Sequence, residues 1–164
     1  MPERKIVELS WAEVWSAATN GMLREFNARK RNPTPQGGKT FAQSLGADIA
    51  GAIGEAAIAK ALNFYWFCGV AGDPDVGGVY EVRTSEVHDH LVLYEKDNPE
   101  DTFIAVKIIG KESGCECEIL GWLDGRDGKR KEHWQENAKR YYIPAGKLND
   151  FETLAAGNRI GRGL

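Results

Sequence analysis

Residues 41–62 leave this chain few ways to fold. Leu45, Ile49, Ile53 and Ala57 recur every four residues, which is helical spacing. The other positions are Ala and Gly nearly all round, so the expected helix has no broad polar face and should lie buried against a sheet at close range. Glu55 stands in the middle of it. A carboxylate among apolar side chains is costly unless it is paired or binds a metal. Two places are open to it: inside the core with a partner, or on a narrow solvent stripe with Asp48, two turns away on the same face.

Residues 73–83 supply candidate partners. Asp75 ends a turn, Gly77 and Gly78 follow, and residues 79–84 are a β-rich run. Side chains alternate along a strand, so Glu81 and Arg83 share one face while Tyr80 and Val82 take the other. The two glycines let the chain bend without a Cβ in the way. Asp75 can then fold back beside Glu81, and two carboxylates with a cation two residues on could hold a divalent metal and an anionic substrate. The competing reading is a hairpin whose charged face is merely solvated.

Gly54-Glu55 on a helix, then Pro74-Asp75, then Glu81-Val82-Arg83 on a strand, resembles the PD-(D/E)XK nuclease superfamily. The texture also resembles small phage-encoded members. The likeness spans roughly residues 41–110, under half the chain, and its motifs are short. It implies an α/β fold with a central mixed sheet of about four to five strands flanked by helices. It implies Mg²⁺ (or Mn²⁺ as substitute) held by Glu55, Asp75 and Glu81, with the Val82 carbonyl completing the site. DNA would be the substrate, with RNA an alternative. One departure is that Arg83 stands where the family has lysine.

Magnesium prefers hard oxygen ligands and keeps several waters. It binds a phosphate oxygen and lowers the pKa of a bound water. Arg83 cannot act as a general base, because a guanidinium stays protonated, but it can clamp a phosphate oxygen. Lys107, in a strand otherwise apolar on both faces, is either a substitute cation or a strand-end lysine reaching solvent.

At 164 residues the chain is expected to be one nuclease-like domain over 1–164. Its parts are an N-terminal helix and basic loop (1–40), a core (41–156) and a frayed tail (157–164). No apolar run approaches the ~20 residues that span a membrane. Met1-Pro2-Glu3-Arg4-Lys5 is not followed by the apolar stretch of a signal peptide. Cys68, Cys115 and Cys117 give no disulfide framework, so a reduced cytoplasm is expected, that of a bacterial host if the chain is phage-encoded. Cys115-x-Cys117 lacks a second ligand pair at zinc spacing and reads as strand.

The net charge of −3 argues against a protein that coats nucleic acid nonspecifically. Residues 24–39 nevertheless carry five bases and one acid, and residues 126–140 six bases and three acids. Lys39, Arg126, Lys129, Arg130 and Lys131 are the candidate nucleic-acid contacts. Phosphate contacts position a duplex without reading its sequence.

Along the rest of the chain, residues 9–30 read as a helix with Ser10 as N-cap and Glu13 closing a capping box. Trp11, Val14, Trp15, Ala18, Met22 and Phe26 are its expected core stripe. Residues 29–40 read as a loop, and Gly37-Gly38-Lys39-Thr40 is not a Walker loop because Pro33 stands at the first glycine position. Residues 64–68 read as an aromatic strand. Residues 91–94 are expected to pair antiparallel with the strand carrying Glu81. Further strands are expected at 102–109, 115–123 and 141–144, a turn-rich loop at 124–128, a short helix within 129–138 and a closing helix at 147–155. His88 and His90 read as turn residues more readily than as a metal pair.

Three functions fit: a Mg²⁺-dependent DNA nuclease, a catalytically silent nuclease-like fold that binds DNA or protein, and a metal-free module whose acids only look convergent.

Overall fold

In a computed structural model the structure describes residues 4–66 and 75–161. The elements in order are β1 (Lys5–Ser10), α1 (Trp11–Arg31), α2 (Phe41–Leu62), β2 (Tyr80–Ser85), β3 (His90–Tyr94), β4 (Thr102–Lys111), β5 (Gly114–Asp124), α3 (Gly125–Gly128), β6 (Trp134–Gln135), β7 (Arg140–Pro144) and α4 (Phe151–Gly161). Short 3-10 turns lie at Gln36–Gly38, Lys131–His133 and Ala145–Lys147.

The fold is mixed α/β. Four strands form one sheet in the order β1-β5-β4-β2, and three form a second in the order β3-β7-β6. β1–β5 and β4–β5 run antiparallel, whereas β2 and β4 run parallel, so the larger sheet is mixed. β1 and β2 are its edge strands.

Alternation along β2 and β4 sends side chains into two separate cores. Tyr80, Val82, Ile104 and Val106 pack with Ile53, Ala57 and Ile58 of α2, Ala17 of α1, and Phe151 and Ala155 of α4. Phe103 and Ala105 pack on the other face with Leu91, Leu93 and Ile143 of the smaller sheet. The three long helices therefore cover one face of the main sheet, and the second sheet covers the other. The mixed sheet flanked by helices that the resemblance implied is present at that level, and a second sheet, not expected, covers the other face.

Two glycines set the helix layer. A Cβ on Gly21 of α1 would meet the Asp48 carbonyl oxygen of α2 at 2.5 Å, and one on Gly54 would meet Thr84 Oγ1 of β2 at 2.0 Å. The α1 and α2 backbones thus meet directly at Gly21, and the Thr84 side chain packs against α2 at Gly54. The capping box on Ser10 and Glu13 forms as its spacing predicts, and Thr40 with Gln43 makes a second one at the start of α2. Asn63 closes α2 in the left-handed conformation with φ 56°.

Several expectations need correction. A strand, β1, precedes the first helix, with Val7 and Leu9 buried and Ile6 and Glu8 exposed. Trp11, Trp15 and Phe26 are exposed; the buried positions of α1 are Ala17, Gly21 and Glu25. The helix is rotated because α1 meets α2 through the small face around Gly21, where indole rings do not fit. β3 does not pair with the Glu81 strand: it pairs antiparallel with β7, and β2 takes β4 as a parallel neighbour. Residues 64–66 form no strand, and the rest of that segment, with Cys68 and Pro74, lies outside the described residues. Residues 125–128 form a short helix where a loop was expected. Residues 131–135 form a 3-10 turn and β6. The closing helix runs from Phe151 to Gly161, so the tail from residue 157 is helical as far as it is described. No helix among the described residues is long and apolar enough to cross a membrane.

Candidate functional site

A tight reversal carries Asp75 to the open edge of β2. Val76 and Tyr80 bridge antiparallel, and the Val76 N–H donates to the Tyr80 carbonyl at 3.0 Å. Gly77 and Gly78 make the turn at φ 62° and 71°, a region that favours glycine. The Val82 N–H donates to Asp75 Oδ2 at 2.8 Å. Tyr80 and Val82 turn their backbone groups outward, away from β4, so the Val82 carbonyl points to the same edge as Asp75.

Glu81 and Arg83 lie on the face that carries Phe103 and Ala105, by the register Glu81↔Phe103 and Arg83↔Ala105. Glu55 arrives from α2 on the opposite face, one residue beyond the Gly54–Thr84 contact. Asp75 stands between them at the edge. Its charge acts on both Glu81 and Glu55. The turn and the edge strand thus bring the carboxylates of residues 75 and 81 to one edge, with Glu55 on α2 across the strand.

Burial raises the pKa of all three acids. For Glu55 desolvation is the largest cause, opposed by the Arg24 hydrogen bond and reinforced by the Asp75 charge. For Asp75 desolvation outweighs the Val82 N–H and the charge of Arg83. For Glu81 desolvation and then the Asp75 charge push the carboxyl up to about 7. Desolvation leads in each case, and the charge of Asp75 adds to it for Glu55 and Glu81.

Glu55 does not occupy a solvent stripe: it is 3% exposed. Arg24 of α1 donates to both of its oxygens, Nη1 to Oε1 and Nη2 to Oε2, each at 2.5 Å. The Trp66 indole N–H is buried without a hydrogen-bond partner among the described residues, near enough to Glu55 to favour its ionised form. Asp48 is half-buried and engages a different partner; burial and then the hydrogen bond with Glu25 raise its pKa.

Arg83 is fixed from several sides. Its Nη2 lies 3.0 Å from Asp97 Oδ2 and its Nη1 3.7 Å from Glu81 Oε2. Its guanidinium lies 5.2 Å from the centre of the Phe103 ring and 5.9 Å from that of Tyr94. Asp97 Oδ2 also accepts the Tyr94 N–H at 2.8 Å. Lys107 reaches the same sheet face through the register Ser85↔Lys107, but its ammonium pairs with Asp89 at 2.7 Å.

Sequence reasoning missed Arg24 and Asp97. Arg24 is one base among five in its stretch, and Asp97 sits in a segment read only as a turn. Gly21, one turn before Arg24, was the available signal, since it marks the α1 face that meets α2.

The proposed nucleic-acid contacts are already partly engaged. Arg126 pairs with Glu100 at 2.5 Å, and Arg130 pairs with Asp127. Lys129 donates to the Glu95 carbonyl at 2.7 Å and to the Asp97 carbonyl. Lys129 therefore fastens the loop that holds Arg83. Lys39 and Lys131 are exposed.

Among the described residues no group of three His, Cys, Asp or Glu side chains could hold a metal ion as they now stand. Glu55 has both oxygens on Arg24. The donor set itself is all oxygen and suits a hard cation, and Mg²⁺ needs only one or two protein carboxylates, the remainder being substrate phosphate and water. Asp75 and Glu81 meet that requirement; Glu55 would have to part from Arg24. Cys115 and Cys117 are buried in β5, and burial pushes the Cys117 thiol up to about 12, so they are core side chains rather than ligands.

No protein-family model matches the chain, and comparison with curated proteins and with solved structures gives no match.

The raised acids fix a pH dependence for the metal-free protein. Between the ordinary carboxyl range near 4.5 and the Glu81 value of about 7, the folded state binds more protons than the unfolded one. Stability then falls as pH rises through that window. Thermal melts in EDTA are expected to show a lower midpoint near about pH 8 than near about pH 5, and Glu81→Gln should flatten the difference. A midpoint that climbs over that range would contradict the strained-acid description.

Proposed function

We infer that the chain is a divalent-metal-dependent nuclease of PD-(D/E)XK type that hydrolyses DNA phosphodiester bonds. The observation that carries this reading is the charge balance at the β2 edge. Four carboxylates, Glu55, Asp75, Glu81 and Asp97, stand against two guanidiniums, Arg24 and Arg83. With all four acids ionised the formal excess is two negative charges, and burial favours protons on Glu55, Asp75 and Glu81 in the metal-free state. Unpaired buried charge is expensive, and one divalent cation would remove the excess.

Asp75 and Glu81 would hold the ion, with the Val82 carbonyl at the same edge. When bound, Mg²⁺ would supply a Lewis acid for a phosphate oxygen and an acidified water. The chain's own groups do the remaining work. The Val82 N–H fixes the rotamer of Asp75. Uptake of a cation would release the protons that burial favours on Asp75 and Glu81, so binding would tighten with pH. Arg83, braced by Asp97 and Phe103, offers its charge to a phosphate oxygen beside Glu81 without reorganising. Asp97→Asn should therefore lower the cleavage rate by about tenfold while leaving Mn²⁺ affinity unchanged, as read by steady-state kinetics and calorimetry.

A second reading, a catalytically silent fold that binds DNA or protein, draws on the ion pairs that already occupy Glu55 and Arg83. Cleavage of a mixed set of single- and double-stranded DNA in Mg²⁺, Mn²⁺ and EDTA separates the two. Metal-dependent products that EDTA suppresses favour the nuclease; intact DNA in every lane, with metal bound, favours the silent fold.

A further inference from the structure

The smaller sheet has a second face. Its inner side chains Leu91, Leu93 and Ile143 pack with Phe103 and Ala105 of the main sheet. Alternation turns the intervening residues of β3 and β7 outward. By register Tyr94 stands opposite Arg140, Val92 opposite Tyr142, and His90 opposite Pro144. Gln135 of β6 flanks Arg140 from the other side. A phenol, a guanidinium and an amide thus form one cross-strand row, with Tyr142 on the same face two residues along.

An open cavity of about 350 Å³ lies on this face, lined by Gln135, Asn137, Ala138 and Tyr142. Its groups are those that recognise a nucleobase. The Tyr142 ring, flanked on the β3 side by His90 at 4.9 Å between ring centres, is a stacking surface. The side-chain amides of Gln135 and Asn137 are exposed and bond to no other protein group among the described residues. Each therefore has donors and an acceptor free for the edge of a base. The charge suits a phosphate. In the turn between β6 and β7, Glu136 is taken up by Lys139 and by the Trp134 indole N–H. Arg140 has no carboxylate partner among the described residues, and its Nε donates to the Ala138 carbonyl at 3.2 Å. One positive charge is left over beside the cavity.

This face is continuous with the β2 edge. The Arg140 guanidinium lies 5.7 Å from the centre of the Tyr94 ring, and that of Arg83 lies 5.9 Å from it. One ring therefore links the cation beside Glu81 to the cation beside the cavity. A base reaches a stacking surface of this kind only when it is out of its own duplex.

We propose that the outer face of β3-β7-β6 holds one unpaired nucleotide of a DNA strand. Its base stacks on Tyr142 with its edge on Gln135 and Asn137, and its phosphate lies on Arg140, while Arg83 takes a neighbouring phosphate. This rests on the nuclease reading for the nature of the ligand, and deepens it: the substrate is single-stranded where it meets the site.

The test uses the full chain in EDTA, so that neither metal nor cleavage enters. Fluorescence anisotropy is read on short labelled single strands of each base and on a blunt duplex. Wild type should bind the best single strand at least about tenfold more tightly than the duplex, with a Kd that differs among the bases. Tyr142→Ala should weaken single-strand binding by about tenfold or more, the effect of one lost base stack, and Tyr142→Phe should keep it. Arg140→Gln should weaken binding of every strand and lower the salt slope by about 0.7, one phosphate contact. Gln135→Ala with Asn137→Ala should erase the preference among bases. Melting curves establish that each variant is folded, and the variants at Gln135, Asn137 and Arg140 decide if Tyr142→Ala is not. Affinity, salt slope and base preference equal to wild type in those folded variants would overturn the proposal, as would a wild type that prefers the duplex. Deoxynucleoside monophosphates that compete as well as the strand would overturn it in favour of a free-nucleotide site. Single-strand binding that depends on Tyr142 and Arg140 in a chain that cuts nothing in Mg²⁺ would sink the nuclease reading and leave the nucleotide site standing.

Discussion

Asp75→Asn is expected to abolish saturable Mn²⁺ binding and to cut DNA cleavage by about 10³-fold or more, while raising the melting point of the metal-free protein. The three effects share one cause. Asn keeps an oxygen for the Val82 N–H, which donates to Asp75 at 2.8 Å, so the turn through Gly77 and Gly78 is retained. The substitution removes a carboxylate whose pKa desolvation raises and whose charge raises those of Glu55 and Glu81. Relief of that repulsion stabilises the apo fold. On the nuclease reading the same charge would serve a divalent ion, and its loss would remove several kcal/mol of transition-state stabilisation. Stability and activity should thus move in opposite directions. Differential scanning calorimetry beside a cleavage assay reads both, and a variant that loses activity together with stability would point to a structural role for Asp75.

Arg83→Ala carries the second large effect. Losing a fixed charge aimed at a transition-state oxygen costs about 10²–10³ in rate. Metal binding should be retained, because Asp75 and Glu81 are untouched. Asp97, whose side chain is 8% exposed, loses its partner, so some loss of stability accompanies the change. Arg83→Lys controls for that: it keeps a cation beside Glu81 and Asp97 and should keep or raise activity. Lys107→Ala should be mild, since its ammonium is committed to Asp89. Inactive Lys107→Ala beside active Arg83→Ala would mean that Lys107 supplies the working cation.

Much of this arrangement could be read from local chemistry. Gly77 and Gly78 announced the reversal that returns Asp75 to the strand, and alternation alone put Glu81 and Arg83 on one face. The near-absence of polar residues around Glu55 marked its helix as buried, which holds for residues 52–59 but not for the first half, where Phe41 is exposed. What could not be read depends on which surfaces meet. β3 has the apolar alternation of a hairpin partner for β2, and nothing local states that its ladder lies in another sheet. The α1 stripe through Trp11 and Trp15 looks like a core face, but Gly21 decides the packing, and Trp15 is left 78% exposed. Arg24 and Asp97 follow from that same level of organisation. Each is an ordinary charged residue until α1 packs on α2, or the loop after β3 folds under Arg83.

A nuclease of this kind must take up a divalent ion at the acidic edge of β2. Calorimetric titration of Mn²⁺ into the wild-type chain and into Asp75→Ala and Glu81→Ala tests this directly. Saturable binding of one or two ions to the wild type, with proton release and with loss in both variants, is the predicted result. Wild-type affinity in either variant, with its fold intact by circular dichroism, would contradict it.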